Sequence, residues 1–207
     1  MKTTARRPDP ISYSTDWRPA GDIERLFVKY RSTGPSPAQI LCHSTANGPV
    51  RLSVVIPTLD GSRDGRLSAL LKQLEKQKFR NFETFIVKGD PRQGRAINIA
   101  AALAGGDYLL TLDDDTSLPD VESFSKLVRV MEENPEIGAA GGNNLVPEDA
   151  APFVKRAMKE IPRRSWAMVD EITESDLAEH PCLIMRAAEF KAIGGENELI
   201  PRGLDPY

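Results

Sequence analysis

The chain has 207 residues, of which 40% are hydrophobic and 28% charged, a composition typical of a folded globular domain rather than a disordered segment. Its formal net charge of −3 argues against a nucleic-acid binder, which would carry a basic surplus. Cys42 and Cys182 lack metal-ligand spacing, and no apolar run reaches the length of a membrane span. We therefore expect a cytoplasmic protein with reduced thiols, with a peripheral position at the inner membrane face as the alternative.

Residues 1–50 are interpreted as an irregular N-terminal extension that packs on the core. Prolines recur along this segment and interrupt any long helix or central strand. They are Pro8, Pro10, Pro19, Pro35, Pro37 and Pro49. Only a short helix over 22–30 and a short strand over 39–43 are predicted here.

From residue 51 onward, apolar strands alternate with amphipathic helices. Strands are predicted at 52–56, 82–87, 107–112 and 137–141, and helices at 66–77, 93–104 and 121–134. The first strand, LSVVI, is rich in β-branched and apolar residues, and Pro57 is expected to end it. This alternation predicts an α/β fold with a mainly parallel sheet sandwiched by helices. Beyond it we expect a helix over 153–161, a strand over 181–185 and a helix over 187–193.

Three consecutive aspartates follow the apolar strand YLLTL at the centre of the chain. Asp113, Asp114 and Asp115 would lie at the carboxyl edge of the sheet, where ligands of open α/β folds bind. Their mutual repulsion is relieved when a divalent cation and a charged ligand lie among them. Hard carboxylate oxygens suit Mg²⁺ or Mn²⁺ carrying a phosphate better than zinc. Polar loops also follow the first two strands, at 57–60 and 89–90. Because the carboxyl ends of parallel strands lie at the same edge of a sheet, these two loops and the aspartates are expected to converge there.

In this order and spacing, the motifs resemble those of the family 2 glycosyltransferases of the GT-A fold. The segments that carry the resemblance are LSVVIPTLDG (52–61), NFETFIVKGD (81–90), GRAINIAAALAGGDYLLTLDDDTSLP (94–119) and CLIMRAAEFKAIGGENELIPRGLDPY (182–207). Such enzymes transfer a sugar from a nucleotide-diphosphate donor with inversion. The resemblance implies one GT-A domain over 51–207, with a nucleotide-binding half over 51–142. Its acceptor-side half, 143–207, is expected to be incomplete.

The resemblance also assigns roles to individual residues around the donor. Pro57, Thr58, Leu59 and Asp60 match the turn that lies along the nucleobase and ribose, and Asp90 is similar to the aspartate that reads the base edge. The metal ligands would be Asp113 and Asp115, with Asp114 toward the ribose. Arg95 would contact the diphosphate. Asn98 matches the asparagine of an Arg-Asn pair that is usual in the family, whereas the arginine of that pair is absent here. These are the residues that the resemblance places at the nucleotide-sugar and its Mn²⁺ or Mg²⁺.

The general base of an inverting transfer is assigned to Asp205 by the same resemblance. The family pattern has Glu before this aspartate, whereas this chain has Leu204. The implied donor is a nucleotide-diphospho-sugar, with a UDP-sugar favoured. The implied acceptor is a glycan, a lipid-linked molecule or another hydroxyl compound.

Two other interpretations stay open from the sequence. LLTLDDDTSL also resembles the nucleophile loop of haloacid-dehalogenase-type phosphatases, in which Asp113 would attack phosphorus and Asp115 would serve as acid and base. That loop normally follows the first strand of its domain, whereas two strand–helix units precede it here. The second alternative is a nucleotide-sugar-binding module without catalysis, because the sequence ends right after Asp205 and the strands and helices that usually complete the acceptor half are expected to be missing.

Overall fold

The computed structural model describes residues 17–19, 39–146, 150–160, 171–174 and 181–200. Within these ranges it has seven strands, β1 (Arg18–Pro19), β2 (Gln39–Ser44), β3 (Leu52–Thr58), β4 (Phe82–Lys88), β5 (Tyr108–Leu112), β6 (Ala139–Gly141) and β7 (Cys182–Arg186). The helices are α1 (Arg66–Glu75), α2 (Gln93–Leu103), α3 (Ser123–Glu133), α4 (Pro152–Lys159) and α5 (Ala187–Ala192). A single turn of 3-10 helix, Arg63–Gly65, leads into α1. The predicted helix over 22–30 and Asp205 lie outside the described residues.

All seven strands belong to one sheet in the order β1-β2-β4-β3-β5-β7-β6. The pairs β3–β4 and β3–β5 are parallel, and the pairs that involve β2 or β7 are antiparallel. Five of these strands therefore run in one direction, and only β2 and β7 run against them. This confirms the α/β architecture with a mainly parallel sheet. Because β3, β4 and β5 are adjacent and parallel, their carboxyl ends meet at one edge.

The central strand β3 continues two residues further than predicted, through Pro57 to Thr58. Alternate residues of a parallel strand form hydrogen bonds to opposite neighbours. The backbone groups of Leu52 and Thr58 bond toward β4, so Pro57 faces the β5 side. Pairing with β5 ends at Val55, so Pro57 lies beyond the part of the strand that is paired with β5. Proline has no N–H to donate, but at this position the sheet has no hydrogen bond to lose. The prediction that Pro57 ends the strand was wrong for this reason.

Helices cover both faces of the sheet. Leucines of α1 and the apolar stripe of α3 pack on one face, against Val54 and Ile56 of β3. On the opposite face, the alanines of α2 pack beside Val55 with Phe190 of α5. Small side chains let α2 lie close to the sheet, and it brings its amino end to the carboxyl edge of β4. No helix in the described part of the chain is long and apolar enough to span a membrane.

The predicted strand over 39–43 is confirmed as β2, which pairs antiparallel with β4 over all six of its residues. Ile40 and Leu41 are buried, one on each face of the sheet. The sheet therefore includes part of the segment that the sequence assigned to the N-terminal extension.

Candidate functional site

A cleft of about 470 Å³ opens at the carboxyl edge of the sheet, where β3, β4 and β5 end. The residues that line it are Pro57, Thr58, Leu59, Arg63, Asp90, Pro91, Gln93, Asp113, Asp114 and Asp115. The structure thus brings together most of the residues that the sequence singled out. Three others, Asp60, Arg95 and Asn98, lie near the cleft with their side chains engaged elsewhere.

Asp114 is tied to the end of β3. The Thr58 hydroxyl donates a hydrogen bond to Asp114 Oδ2 at 2.6 Å, and the Gly61 N–H donates to the same hydroxyl at 3.1 Å. Burial raises the pKa of the Asp114 carboxyl, while the bond from Thr58 and the charge of Arg63 oppose this shift. The fold therefore holds a partly desolvated carboxylate in a fixed orientation at the wall of the cleft.

Asp113 and Asp115 contact different partners. Gln93 Nε2, at the first turn of α2, donates to Asp113 Oδ1 at 2.9 Å. Asp115 Oδ2 accepts from Arg63 Nε and Nη2 at 3.2 and 3.1 Å, and Arg66 Nη1 lies 3.5 Å from the same oxygen. The hydrogen bond to Asp115, followed by the charges of the three aspartates, raises the pKa of Arg63. The aspartate cluster is thus partly neutralised by one arginine from the loop after β3 and one from the start of α1.

Asp60 shapes that loop instead of facing the cleft. Its Oδ1 accepts from the backbone N–H groups of Ser62 and Arg63 at 2.8 and 2.9 Å, and these bonds, that of Arg63 first, lower the pKa of the carboxyl. Arg63 and Asp64 follow in the left-handed region, with φ of 47° and 56°. Non-glycine residues seldom adopt this conformation, so the carboxylate of Asp60 stabilises a strained turn.

Asp90 lines the cleft and directs its buried side chain to Arg95 in an ion pair. Arg95 Nε donates to Asp90 Oδ2 at 2.7 Å and Nη2 donates to Oδ1 at 2.9 Å, while the backbone N–H of Arg92 also donates to Oδ1. Arg95 is only 1% exposed. The guanidinium is therefore neither solvated at the helix end nor directed into the cleft, and its forked contact fixes the plane of the Asp90 carboxylate.

Asn98 connects α2 to the segment after α5. Its Nδ2 donates to the Glu196 carbonyl and to Glu198 Oε1, both at 2.9 Å, and its Oδ1 accepts from the Glu196 N–H at 2.8 Å. Gly195 approaches so closely that an added Cβ would lie 2.3 Å from Asn98 Oδ1. In the described conformation this asparagine serves the packing of 195–198.

Sequence reasoning missed Arg63, Arg66 and Gln93, which contact the cluster. The only local signal was the polar loop DGSRDG, whose two glycines predict a turn but not the direction of the arginine between them. Among the described residues, no group of three His, Cys, Asp or Glu side chains is close enough to hold a metal ion. Within these ranges, a cation at Asp113 and Asp115 has no third side chain of these types as a ligand.

The model of the family described as glycosyl transferase family 2 matches residues 43–189, about 71% of the chain. The chain belongs to glycosyl transferase family 2. Membership decides against the phosphatase interpretation of Asp113 and Asp115. No curated protein sequence matches this family 2 chain.

Solved structures similar to this family 2 chain show the same fold at low sequence identity. A mannosyltransferase from Pyrobaculum calidifontis, in complex with GDP-Man and Mn²⁺, superposes with a TM-score of 0.54 at 14% identity, over 89% of this chain and 57% of the other. Residues 1–349 of S. aureus TarS, in complex with UDP-GlcNAc, superpose with a TM-score of 0.51 at 16% identity, over 76% and 51%. These likenesses confirm the expected GT-A fold, and the chain spans little more than half the length of either protein.

Proposed function

We propose that the protein is a metal-dependent inverting glycosyltransferase that moves a sugar from a nucleotide-diphosphate donor to an acceptor hydroxyl. The observation that carries this proposal is the position of the three aspartates in a family 2 chain, at the carboxyl end of β5 and inside the cleft formed with the loops after β3 and β4. The similar structures in complex with GDP-Man and UDP-GlcNAc support a nucleotide-sugar donor. A UDP-sugar is the donor that we favour.

The end of β3 and the loop after it are proposed to hold the nucleoside. Pro57, Thr58 and Leu59 line one wall of the cleft, where their backbone would lie along the base and ribose. Asp114, held through Oδ2 by Thr58, would accept a hydrogen bond from a ribose hydroxyl through its other oxygen. Asp60 supports this wall through the turn that it stabilises.

Asp90 is proposed to read the base edge, because a carboxylate accepts from imide or amino N–H groups. In the described conformation its side chain is buried and paired with Arg95, so base reading requires the loop after β4 to open. Arg95 then acts through Asp90, by fixing that carboxylate, rather than by direct contact with the diphosphate. Asn98 supports the same region from α2.

Asp113 and Asp115 are proposed to hold Mn²⁺ or Mg²⁺. The donor set fits these ions, which accept one or two carboxylates and complete their coordination with phosphate oxygens and water. When bound, such an ion neutralises charge on the leaving nucleoside diphosphate. The protein's own contribution is to place the two carboxylates, with Gln93 orienting Asp113.

Asp205 is proposed as the general base that deprotonates the acceptor hydroxyl, of a glycan, a lipid-linked molecule or another compound. It lies outside the described residues, and the family resemblance alone supports it. Asp205→Asn should abolish sugar transfer while donor affinity stays unchanged. Full transfer activity in that variant would exclude this role.

We also propose a cytoplasmic location, with peripheral association at the inner membrane face as the alternative. Cys42 and Cys182 are free thiols, as is usual in a reducing compartment. Sedimentation of the protein with membranes from lysed cells, and its release by high salt, would distinguish the peripheral location from the cytosolic one.

A thermal-shift panel tests the proposed function. UDP-, GDP- and dTDP-sugars are added with and without Mn²⁺, because a ligand that binds only the folded state raises the melting temperature by mass action. We expect one nucleotide class to stabilise the protein in the presence of metal. Stabilisation without donor turnover would favour the non-catalytic binding module, and no stabilisation by any nucleotide with metal would contradict the proposal.

A further inference from the structure

Arg63 brings a guanidinium into the cleft that the proposed function does not use. Its Nε and Nη2 lie 3.2 and 3.1 Å from Asp115 Oδ2, and Nε lies 3.6 Å from Asp114 Oδ1. One arginine therefore faces two of the three clustered carboxylates, including a proposed metal ligand. A guanidinium and a divalent cation cannot both occupy the same face of Asp115 Oδ2.

The backbone presents Arg63 to the cluster at a conformational cost. Its φ of 47° is unusual for a non-glycine residue, and Asp60 Oδ1 holds the turn by accepting its N–H. Strained backbone of this kind persists where the surrounding structure enforces it, often beside a ligand site. The arginine is thus placed at the mouth of the cleft by its own loop.

The ion pair with Asp115 can exchange partners readily. The Arg63 side chain is 58% exposed and that of Asp115 is 28% exposed, and ion pairs this close to solvent contribute little net stability. Guanidinium groups bind phosphate oxygens through two parallel hydrogen bonds, a stronger contact than a single shared carboxylate oxygen provides. A diphosphate entering the cleft would therefore attract Arg63 away from Asp115.

We infer that Arg63 is a positioning residue that couples donor binding to metal binding. Without donor, it occupies Asp115 and weakens the binding of a divalent cation. When a nucleoside diphosphate enters, Arg63 moves to the diphosphate and leaves Asp115 free for the cation. This inference rests on the proposed function, and it requires donor and metal each to tighten the binding of the other.

The test compares Arg63→Gln with Arg51→Gln. Both variants lose one positive charge from an exposed arginine–aspartate pair, but Arg51 pairs with Asp107 at the opposite edge of the sheet. Binding of Mn²⁺ alone is measured by electron paramagnetic resonance of the free ion. Arg63→Gln should bind Mn²⁺ about threefold or more tightly than the unaltered protein, because a repelling charge is removed. Arg51→Gln should bind Mn²⁺ unchanged.

Calorimetric titration with UDP, GDP and dTDP at saturating Mn²⁺ gives the second readout. For the nucleotide that binds, Arg63→Gln should lower the affinity about fivefold or more, and Arg63→Lys should restore part of it, because lysine keeps the charge but not the fork. The proposed function fails if the unaltered protein binds none of the three with metal. The role of Arg63 is wrong, with the proposed function intact, if a nucleotide binds and Arg63→Gln leaves both affinities unchanged.

Discussion

At the amino edge of β3 and β5, Arg51 lies between two acids, 2.6 Å from Asp107 Oδ2 and 2.8 Å from Glu132 Oε1. At the carboxyl edge of the same strands, Asp113, Asp114 and Asp115 stand together at a cleft. Arg63 and Arg66 approach Asp115, and Arg63 also lies 3.6 Å from Asp114. The two ends of one set of strands thus use the same charged residue types in different arrangements.

The difference separates structural charge from functional charge. At the amino edge the arginine bridges the acid that precedes β5 and an acid of α3, and so connects elements of the fold. At the carboxyl edge adjacent like charges repel, and burial raises the pKa of Asp114, so this arrangement costs stability in the free protein. Sites that bind charged ligands commonly accept such a cost.

The largest expected effect is on stability, from the buried ion pair of Asp90 with Arg95. Arg95→Met leaves the Asp90 carboxylate buried without its cation and should lower the free energy of unfolding by about 3–5 kcal/mol. Arg51→Met breaks exposed pairs and should lower it by about 1 kcal/mol or less. Urea unfolding followed by circular dichroism measures both. An equal decrease in the free energy of unfolding for the two variants would contradict the prediction that the buried ion pair contributes more than the exposed one.

The second effect is on turnover. Asp115→Asn should reduce release of nucleoside diphosphate from the donor about 100-fold or more, because a proposed metal ligand and its charge are lost. Asp107→Asn makes the same chemical change at the other end of β5 and should alter the rate less than about twofold. A coupled assay of nucleoside diphosphate with Mn²⁺ measures both variants. A similar rate for both would remove the functional distinction between the two edges.

The smallest effect is the pH dependence of stability, on the order of 1 kcal/mol or less at neutral pH. Since burial raises the pKa of Asp114, its contribution to stability is greatest in acid and is lost as pH rises through the raised pKa. Asp114→Asn should therefore match the unaltered protein below about pH 4 and become the more stable of the two above it. Thermal unfolding across this range measures the difference.

Asp120, in the loop before α3, is the control of opposite sign. Its hydrogen bond with Lys126 lowers the pKa of the carboxyl, so its contribution is present at neutral pH and lost as pH falls through the lowered pKa. Asp120→Asn should be the less stable protein at neutral pH, with the difference vanishing in acid. If both substitutions changed the stability at neutral pH in the same direction, the opposite pKa shifts of Asp114 and Asp120 would be contradicted.

The alternation of strands and helices was predictable because it depends on local apolar periodicity. LSVVI and YLLTL are buried on both faces of the sheet, and Leu67, Leu70 and Leu74 repeat at helical spacing, so the elements followed from the residues themselves. The convergence of the strand ends followed from parallel topology. The continuation of β3 through Pro57 was missed because it depends on where pairing with β5 ends, which no local pattern records.

The side-chain contacts of the site were less predictable. Arg63 reaches Asp115 because Asp60 holds a left-handed turn, and Arg95 reaches Asp90 because α2 begins five residues after β4 ends. Both depend on loop conformation, and charged residues in loops have no periodicity from which direction can be inferred. The cluster of aspartates was visible in the sequence, whereas its counter-charges required the structure.

The most direct test of the account is the position of bound Mn²⁺ relative to the two edges. In an NMR spectrum of the amide-labelled protein with the binding nucleoside diphosphate, paramagnetic Mn²⁺ broadens the signals of nearby backbone amides. We predict the strongest broadening at Thr58 and Asp113–Asp115 and the weakest at Arg51 and Gly106, because broadening falls steeply with distance and β5 separates the two edges by about 3.3 Å per residue. Broadening centred on the amino edge, or none at the aspartate cluster, would contradict the account.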